Sequence, residues 1–409
     1  MQLNYWKITR LKLLFLMAGP GLYASQLLSR FAVSSIYARQ ALDIIFIVII
    51  FYFGLLFFKI PKTNYTKFIL IFSVFAFFFN IFSLINGYTS IDKVLYSSIC
   101  FIFLPAFLSI IVSNKNNKSV IEGYINYFLL PLLILNFLVA FLELSLRGAS
   151  SFGSLQITGR SYELIGLSIV GLILASRYSF AGKNFLYLGY FITVAMSFSR
   201  GAILVFTLIF LQNSLKSFKQ IFKWLSVCIF ISMLVIWSGL TLDLINLNFF
   251  NIFDFWGKRL DIGVDQTALS RVTDGSSGRI SIYLKCVDGL SQNPFLGVGI
   301  AQTQSYFIEN YNNLAYSGCH NLFITPLLER GVLGGLVCWS IIIIAIYRVA
   351  RISLLYIQLT PIFLIGMLIL FGATTGLELF IMSDSVRNAN ILFSFLLIIS
   401  IFRVSKEPC

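Results

Sequence analysis

The chain is poor in charged residues and contains very little histidine. Asp, Glu, Lys and Arg together make up 11% of its 409 residues, whereas 58% are hydrophobic and the mean hydropathy is +0.89. A soluble domain cannot bury that many apolar side chains in its core, so a soluble globular protein is excluded. The composition therefore predicts an integral membrane protein.

The scarcity of metal-binding side chains excludes further classes. His320 is the only histidine, and the six cysteines show no CxxC or similar ligand spacing, so we expect no metal site and no cofactor. A glycine-rich Walker-type loop is also absent, which argues against a nucleotide hydrolase. Cys286 and Cys319 lie on the same predicted side of the membrane and could form a disulfide. We favour two free thiols over that disulfide.

Apolar runs of the length that crosses a bilayer as a helix recur along the chain. We expect an all-α integral membrane protein with about 12 transmembrane helices. The predicted helices cover approximately residues 11–29, 41–58, 68–86, 94–112, 124–144, 161–176, 185–199, 201–215, 224–241, 331–347, 354–376 and 388–402.

One long polar stretch interrupts this pattern and divides the chain. Residues 1–241 contain the first nine predicted membrane helices, residues 242–320 form a large outer loop, and residues 321–409 contain the last three helices and a short tail. The outer loop carries seven acids and five bases, so it can fold in water. Because it is too long for a bare loop, we expect it to carry short helices.

Local patterns predict elements inside and after this loop. Apolar residues at helical spacing (Ile280, Tyr283, Leu284, Val287) predict a surface helix over 278–289 that lies on the membrane domain. A turn over 293–299 follows, and residues 306–316 lack periodicity, which predicts a mobile flap. A helix restarts over 321–330, with Pro326 in its first turns.

The net charge of +14 is better explained by membrane topology than by a nucleic-acid partner, since the basic residues are spread through short loops. With both termini in the cytoplasm, the inner side collects 12 Lys and 5 Arg, which is the positive-inside pattern, whereas the outer side holds 3 Lys and 10 Arg. A guanidinium can bind phosphate through two parallel hydrogen bonds, so an arginine-rich outer face indicates a phosphorylated ligand. The alternative, which is favoured for any single outer arginine, is snorkelling or pairing with nearby acids.

Three residues at the outer boundary are candidates for chemistry. His320 lies where the polar loop returns to the membrane, and its imidazole near a helix N-terminus is suited to act as a general base. A lone histidine is more often structural, but this context favours catalysis. Arg200 lies in a short polar break between two apolar runs, and Arg279 opens the predicted loop helix. Two arginines near helix N-termini can bind a diphosphate without a metal ion.

At these residues the sequence resembles the O-antigen ligase and polymerase family. Four segments match in order: Ser199-Arg200-Gly201 with its Arg-x3-Leu, Gly278-Arg279 before an aromatic residue, the 293–299 segment Asn-Pro-Phe-Leu-Gly-Val-Gly, and His320-Asn321 followed after nine residues by Gly331-x2-Gly334. The spacing of the last two glycines also allows close helix packing. In place of the Gly or Pro that often precedes the His-Asn pair, this chain has Cys319.

The resemblance implies a fold, a reaction and a set of roles. The fold would be GT-C-like, and the reaction a metal-independent, inverting transfer of a glycan from undecaprenyl diphosphate to a sugar hydroxyl. His320 would be the base, and Arg200 and Arg279 would stabilise the leaving diphosphate, with Arg160 and Asn321 as further substrate-binding residues. The implied partners are the lipid-linked glycan donor, the glycan acceptor, membrane lipid and a chain-length regulator protein.

The family includes two reactions that the motifs do not separate. A polymerase transfers the glycan to another lipid-linked repeat unit, and a ligase transfers it to the lipid A core. We favour the polymerase, because each bacterial surface polysaccharide needs its own polymerase whereas one ligase serves many. A flippase for lipid-linked oligosaccharides is a third possibility, which predicts charged residues inside several helices. In each case we expect a multi-pass protein of the bacterial inner membrane whose site faces the periplasm.

Overall fold

The computed structural model describes the chain in twelve segments, and in all of them the regular secondary structure is helical. These segments are residues 2–25, 36–56, 63–113, 117–147, 162–177, 183–197, 200–214, 279–300, 302–311, 319, 321–374 and 387–402. Four of the helices are long and apolar enough to cross a membrane, and five shorter helices are also apolar. The protein is therefore an all-α, multi-pass integral membrane protein.

Thirteen helices in these segments are numbered here in chain order. The first five are α1 (Gln2–Leu16, continued by the π-helical turn Met17–Gly21), α2 (Ile36–Leu55), α3 (Asn64–Ile85), α4 (Ile91–Val112) and α5 (Asn117–Gly123, Tyr124–Leu129 and Leu130–Arg147). The next five are α6 (Tyr162–Arg177), α7 (Lys183–Ser197), α8 (Arg200–Ser214), α9 (Arg279–Gln292) and α10 (Thr303–Tyr311). The last three are α11 (Ile324–Leu355), α12 (Leu359–Thr374) and α13 (Arg387–Ile401).

Each predicted membrane helix overlaps one of these helices except the run over 224–241, which lies outside the described residues. The count of twelve membrane crossings and the division at residues 241 and 320 stay predictions. The surface helix predicted over 278–289 is present as α9, and the predicted turn follows it. The helix predicted to restart at residue 321 begins at Ile324.

The core of the molecule lies around α6, whose side chains from Leu164 to Leu174 are almost completely buried. This helix packs against α7, α12 and α13. Ser168, a polar residue inside this core, is satisfied locally, since its Oγ donates to the carbonyl of Leu164 at 2.8 Å. Around the core, α3 exposes large apolar side chains such as Val74 and Phe75, as expected where a helix faces lipid.

Two predictions about the polar segment are wrong. The predicted flap over 306–316 is helical as far as Tyr311, because α10 packs Tyr306 and Phe307 into the protein, and residues 312–316 lie outside the described residues. On α9, the predicted apolar face includes Leu284 and Val287, which are 66% and 53% exposed. The helix instead buries the face that carries Ile282, Cys286 and Gly289.

Candidate active site

The candidate site is organised around a break in the long helix α11. Gly331 lies inside this helix with φ 65° and ψ −174°, a backbone conformation that is essentially restricted to glycine. The break leaves carbonyl groups without their usual helical donors. The backbone N–H groups of Val298 and Gly299 donate to the carbonyls of Leu328 and Glu329 at 2.7 and 3.2 Å, and the N–H of Val332 donates to the carbonyl of Pro294 at 2.8 Å. The 293–299 segment therefore replaces the missing helical hydrogen bonds.

Glycine is required on both sides of this contact. A Cβ atom on Gly331 would overlap the backbone of Phe295, and one on Gly297 would overlap the carbonyl oxygen of Leu328. Gly297 and Gly299 both have positive φ angles, and the space beside Gly299 is filled by Tyr88 from the turn between α3 and α4. Two of the sequence motifs, Asn-Pro-x-x-Gly-x-Gly and Gly331-x2-Gly334, thus form one packed unit.

Gly334 lies one turn beyond the break. A Cβ atom there would touch the side chain of Arg330 at 2.5 Å and would approach Phe79 of α3 to 3.5 Å. The close packing predicted from the glycine spacing is therefore present, but the two glycines serve different contacts.

Asn321 is the N-terminal anchor of α11. Its Oδ1 accepts hydrogen bonds from the backbone N–H groups of Phe323 and Ile324 at 2.9 and 3.1 Å, which satisfies donors at the start of the helix. Its Nδ2 donates to the carbonyl of Ala373 at 2.9 Å, and the N–H of Leu322 donates to the carbonyl of Gly372 at the same distance. Asn321 therefore joins the start of α11 to the C-terminal end of α12. Its predicted role in substrate binding stays a prediction.

Cys319 forms a disulfide with Cys286 of α9. The prediction of two free thiols was wrong, because these cysteines are 33 residues apart in sequence and only the packing of α9 against the start of α11 brings them together. Both are fully buried in a small apolar cluster with Ile282, Phe307 and Leu328. This cluster is the face that α9 buries in place of the predicted one.

The principal candidates for chemistry are described only in part. His320 and Arg160 lie outside the described residues, although both chain neighbours of His320 are placed. Arg200 and Arg279 are the first residues of α8 and α9, and the structure describes their backbone but not their side chains. Both arginines therefore begin a helix, where backbone N–H groups and the helix dipole favour bound anions.

A buried charged pair at the break was missed in the sequence analysis. Glu329 and Arg330 are 1% and 5% exposed, yet Arg330 was assigned only to a general excess of outer arginines. Arg330 Nη1 donates to Asn80 Oδ1 of α3 at 2.8 Å, and Thr303 Oγ1 of α10 donates to Glu329 Oε1 at 3.2 Å. The pair therefore connects α11 to α3 and α10. Two adjacent opposite charges directly before a glycine in an apolar helix are the signal that indicates such a site.

A second polar cluster joins α9 to α10 at the protein surface. The Tyr311 hydroxyl donates a hydrogen bond to Asp288, and the Lys285 ammonium lies 4.7 Å from the centre of the Tyr311 ring. The bond to Asp288 raises the pKa of Tyr311, and burial raises that of Tyr306, so both remain neutral phenols at physiological pH. The cluster fixes α10 against α9.

These features define a helical membrane protein whose helices are apolar on their outer faces. A polar segment packs onto the broken helix α11, and the candidate site lies at that break. Residues 185–340 match the family model of O-antigen ligase. This range runs from α7 to the middle of α11 and contains all four motif segments, so the resemblance to the O-antigen ligase and polymerase family is confirmed. The match supports a function of the ligase or polymerase type on lipid-linked glycans, and it does not distinguish a ligase from a polymerase. No curated protein matches the chain.

Proposed function

We propose that this protein is a polysaccharide polymerase, a glycosyltransferase that moves a glycan from undecaprenyl diphosphate to a sugar hydroxyl of another lipid-linked repeat unit. The observation that supports a transferase of this family is the match over residues 185–340, within which the 293–299 segment packs on the break in α11 and α9 packs against the same helix. Three of the four motif segments therefore lie in one tertiary unit, whereas α8, which begins at Arg200, packs against α7 and α12. The choice of a polymerase rests on the need of each surface polysaccharide for its own polymerase.

In the proposed reaction, His320 removes the proton of the acceptor hydroxyl. A sugar hydroxyl has a pKa far above 7, so its oxygen attacks efficiently only when a base takes the proton in the transition state. The attack on the anomeric carbon breaks its bond to the diphosphate oxygen and inverts the configuration at that carbon. The proton ends on the imidazole, and undecaprenyl diphosphate leaves.

Arg200 and Arg279 stabilise the leaving diphosphate, whose charge grows as the anomeric C–O bond breaks. Interactions that strengthen in the transition state accelerate the reaction more than those that bind the substrate alone. Two guanidinium groups, each at the first residue of a helix, give this stabilisation without a metal ion. Arg160 is proposed to contact the same lipid-linked donor. Asn321 is proposed to bind substrate through its position beside His320.

The same site is suited to a ligase, in which the acceptor is the lipid A core. The matched family model is described as O-antigen ligase, and the match itself does not separate the two reactions. A flippase has less support, because among the described residues the buried charged side chains are those of Asp43, Glu329 and Arg330, on two helices. A transporter of charged lipid carriers should place such residues in several.

We also propose the cellular placement of the protein. Residues 242–320 form a periplasmic loop between nine membrane helices and the last three, both termini are cytoplasmic, and the protein lies in the bacterial inner membrane. The disulfide between Cys286 and Cys319 supports this orientation, since disulfides persist in oxidising compartments such as the periplasm. A chain-length regulator protein is a further proposed partner.

Deletion of the gene in its source strain distinguishes the two reactions. Loss of a polymerase leaves surface glycans that carry a single repeat unit, whereas loss of a ligase leaves lipid-linked polymer and bare core. Gel analysis of lipopolysaccharide, with lipid-linked glycans extracted from the same cells, measures both. Unchanged surface glycans and no accumulated lipid-linked polymer would contradict both candidates.

A further inference from the structure

Both chain neighbours of His320 are linked to the same helix, one directly and one through a shared carbonyl. On one side, Cys319 is bonded covalently to Cys286 of α9. On the other side, Asn321 Nδ2 donates to the carbonyl of Ala373, and that carbonyl also accepts a hydrogen bond from the Tyr283 hydroxyl of α9 at 3.1 Å. Tyr283 and Cys286 are three residues apart, so they lie on one face of α9. One covalent bond to Cys319 and one hydrogen-bonded bridge from Asn321 through the Ala373 carbonyl therefore link the residues on either side of position 320 to one face of α9.

The same helix begins with Arg279. Cys286 is seven residues further along α9, which is about two turns or roughly 10 Å of helix. A helix of this length transmits position rigidly over two turns. A fixed contact at Cys286 consequently fixes the backbone of Arg279 relative to the backbone on either side of His320.

The contact is also protected from solvent. Cys286 and Cys319 are fully buried, and Ile282, Phe307 and Leu328 surround them. Gly289, one turn beyond Cys286, packs so closely that an added Cβ atom would lie 2.7 Å from both the ring of Tyr306 and the side chain of Leu328. The disulfide thus lies at the centre of the packing between α9, α10 and the start of α11.

We propose that Cys286 and Cys319 are positioning residues, whose disulfide sets the distance between the base His320 and the diphosphate-binding end of α9. This inference rests on the proposed function for the roles of His320 and Arg279. Its consequence is that full activity requires an oxidising compartment on this side of the membrane. Glycosyl transfer would begin only after export and oxidation of this segment.

The oxidation itself follows ordinary thiol–disulfide exchange. The thiolate of one of the two cysteines attacks the disulfide of an oxidant and forms a mixed disulfide. The thiol of the other cysteine then displaces the oxidant from this mixed disulfide. The S–S bond between Cys286 and Cys319 forms, and two electrons and two protons pass to the oxidant, which leaves as a dithiol. An oxidoreductase disulfide of the periplasm belongs to this chemical class.

The first test asks whether the bond exists in the membrane-inserted protein. The full chain is purified with a tag that contains no histidine, denatured without reductant and alkylated, and its peptides are analysed by mass spectrometry. We expect a linked peptide pair that contains Cys286 and Cys319, together with alkylated Cys100 and Cys338, which are the unpaired cysteines in the described part of the chain. Alkylation of Cys286 and Cys319 in the untreated protein would overturn the proposal.

The second test measures the effect on activity. The double variant Cys286→Ala with Cys319→Ala is compared with the matched control Cys100→Ala, which removes a buried cysteine that is not bridged. Because small displacements of reacting groups cost about 10²-fold in rate, we expect kcat to fall by about 10- to 100-fold in the double variant with little change in KM for the lipid-linked donor. The control should keep the wild-type kcat. Wild-type kcat in a double variant shown to lack the bond would overturn the positioning role.

Should the double variant fail to insert, the wild-type chain is produced in cells that lack the thiol oxidant. The reduced protein should have a lower kcat than the oxidised protein, and its kcat should recover on treatment with oxidised glutathione. Recovery of the bond without recovery of kcat would overturn the proposal.

A third readout does not depend on transferase activity. Because His320 is the only histidine, its reaction with diethyl pyrocarbonate and its single imidazole NMR signal report on that residue alone. We expect the imidazole titration and the carbethoxylation rate to change when the bond is broken and to remain unchanged in Cys100→Ala. If the wild-type protein has no transferase activity, the proposed function fails, and this readout still decides the positioning role. An identical imidazole signal with and without the bond would contradict it.

Discussion

His320 is the residue on which the proposed chemistry depends most. It is the only side chain of its type in the chain, so no other imidazole can replace it near neutral pH. Its neighbours Cys319 and Asn321 are both buried and anchored. Anchored residues on both sides of this position suit a base that has to meet its substrate in one geometry.

Replacement of His320 by Ala should abolish polymer formation while the protein still inserts into the membrane. Loss of a positioned general base typically lowers the rate by about 10²- to 10⁴-fold. The measurement is the length distribution of surface glycans in a deletion strain that carries the variant, with the protein amount matched by immunoblot. Wild-type polymer in that strain would remove the catalytic role of His320.

Arg200→Lys and Arg279→Lys should each impair transfer although both keep the positive charge. A lysine ammonium cannot reproduce the two parallel hydrogen bonds of a guanidinium, and loss of one well-placed donor costs up to about 10²- to 10³-fold in kcat. Kinetics with the lipid-linked donor measure this effect. Arg177→Lys provides a control, since the Arg177 guanidinium lies 4.9 Å from the ring of Tyr356, where α6 and α11 end. Full activity in both test variants would show that charge alone is sufficient.

At the scale of elements, the break in α11 and the 293–299 segment depend on each other. The segment satisfies carbonyls that the break exposes, and the break provides space for the segment. The buried pair Glu329 and Arg330 directly precedes the break and links it to α3 and α10. Loss of the glycine at the break should therefore affect more than one helix.

Gly331→Ala should destabilise the protein. Its φ and ψ angles belong to a region that costs other residues about 1–3 kcal/mol, and the added Cβ atom would overlap the backbone of Phe295. Thermal unfolding of the purified protein in detergent measures the change.

The matched control is Gly366→Ala in α12, where an added Cβ atom meets nothing within 4 Å. It should leave the unfolding temperature unchanged or slightly higher, since Ala in a helix interior is favoured over Gly by about 0.5–1 kcal/mol. Equal unfolding temperatures for Gly331→Ala and Gly366→Ala would contradict the structural role of the break.

The sequence was informative where local pattern decides the structure. The apolar runs predict most of the helices, and α9 and the turn after it were expected from spacing and from Asn293-Pro294. Tertiary contacts decided the rest. Residues 306–311 lack a helical pattern, yet contacts of Tyr306 and Tyr311 with Asp288 hold them as a helix. The pairing of Cys286 with Cys319 likewise depends on packing that no spacing rule contains.

At the scale of the whole molecule, the proposed site needs no metal ion. Two arginines at helix N-termini would neutralise the diphosphate, a task that many phosphate-handling enzymes leave to Mg²⁺. Purified protein should therefore keep its transfer rate in excess EDTA. Activity that disappears in EDTA and returns with Mg²⁺ or Mn²⁺ would assign a hard-cation site, for which the loop residues Asp254, Asp261, Asp265 and Asp274 are the candidates.

The central claim is that this membrane protein breaks the bond between a glycan and its lipid diphosphate. The most direct test reconstitutes the purified protein in liposomes with undecaprenyl-diphosphate-linked repeat units and measures released undecaprenyl diphosphate together with glycan length. We predict release in proportion to the new glycosidic linkages, and almost none with His320→Ala. Movement of the glycan across the bilayer with its lipid diphosphate still attached, and no release, would contradict the claim and indicate a transporter.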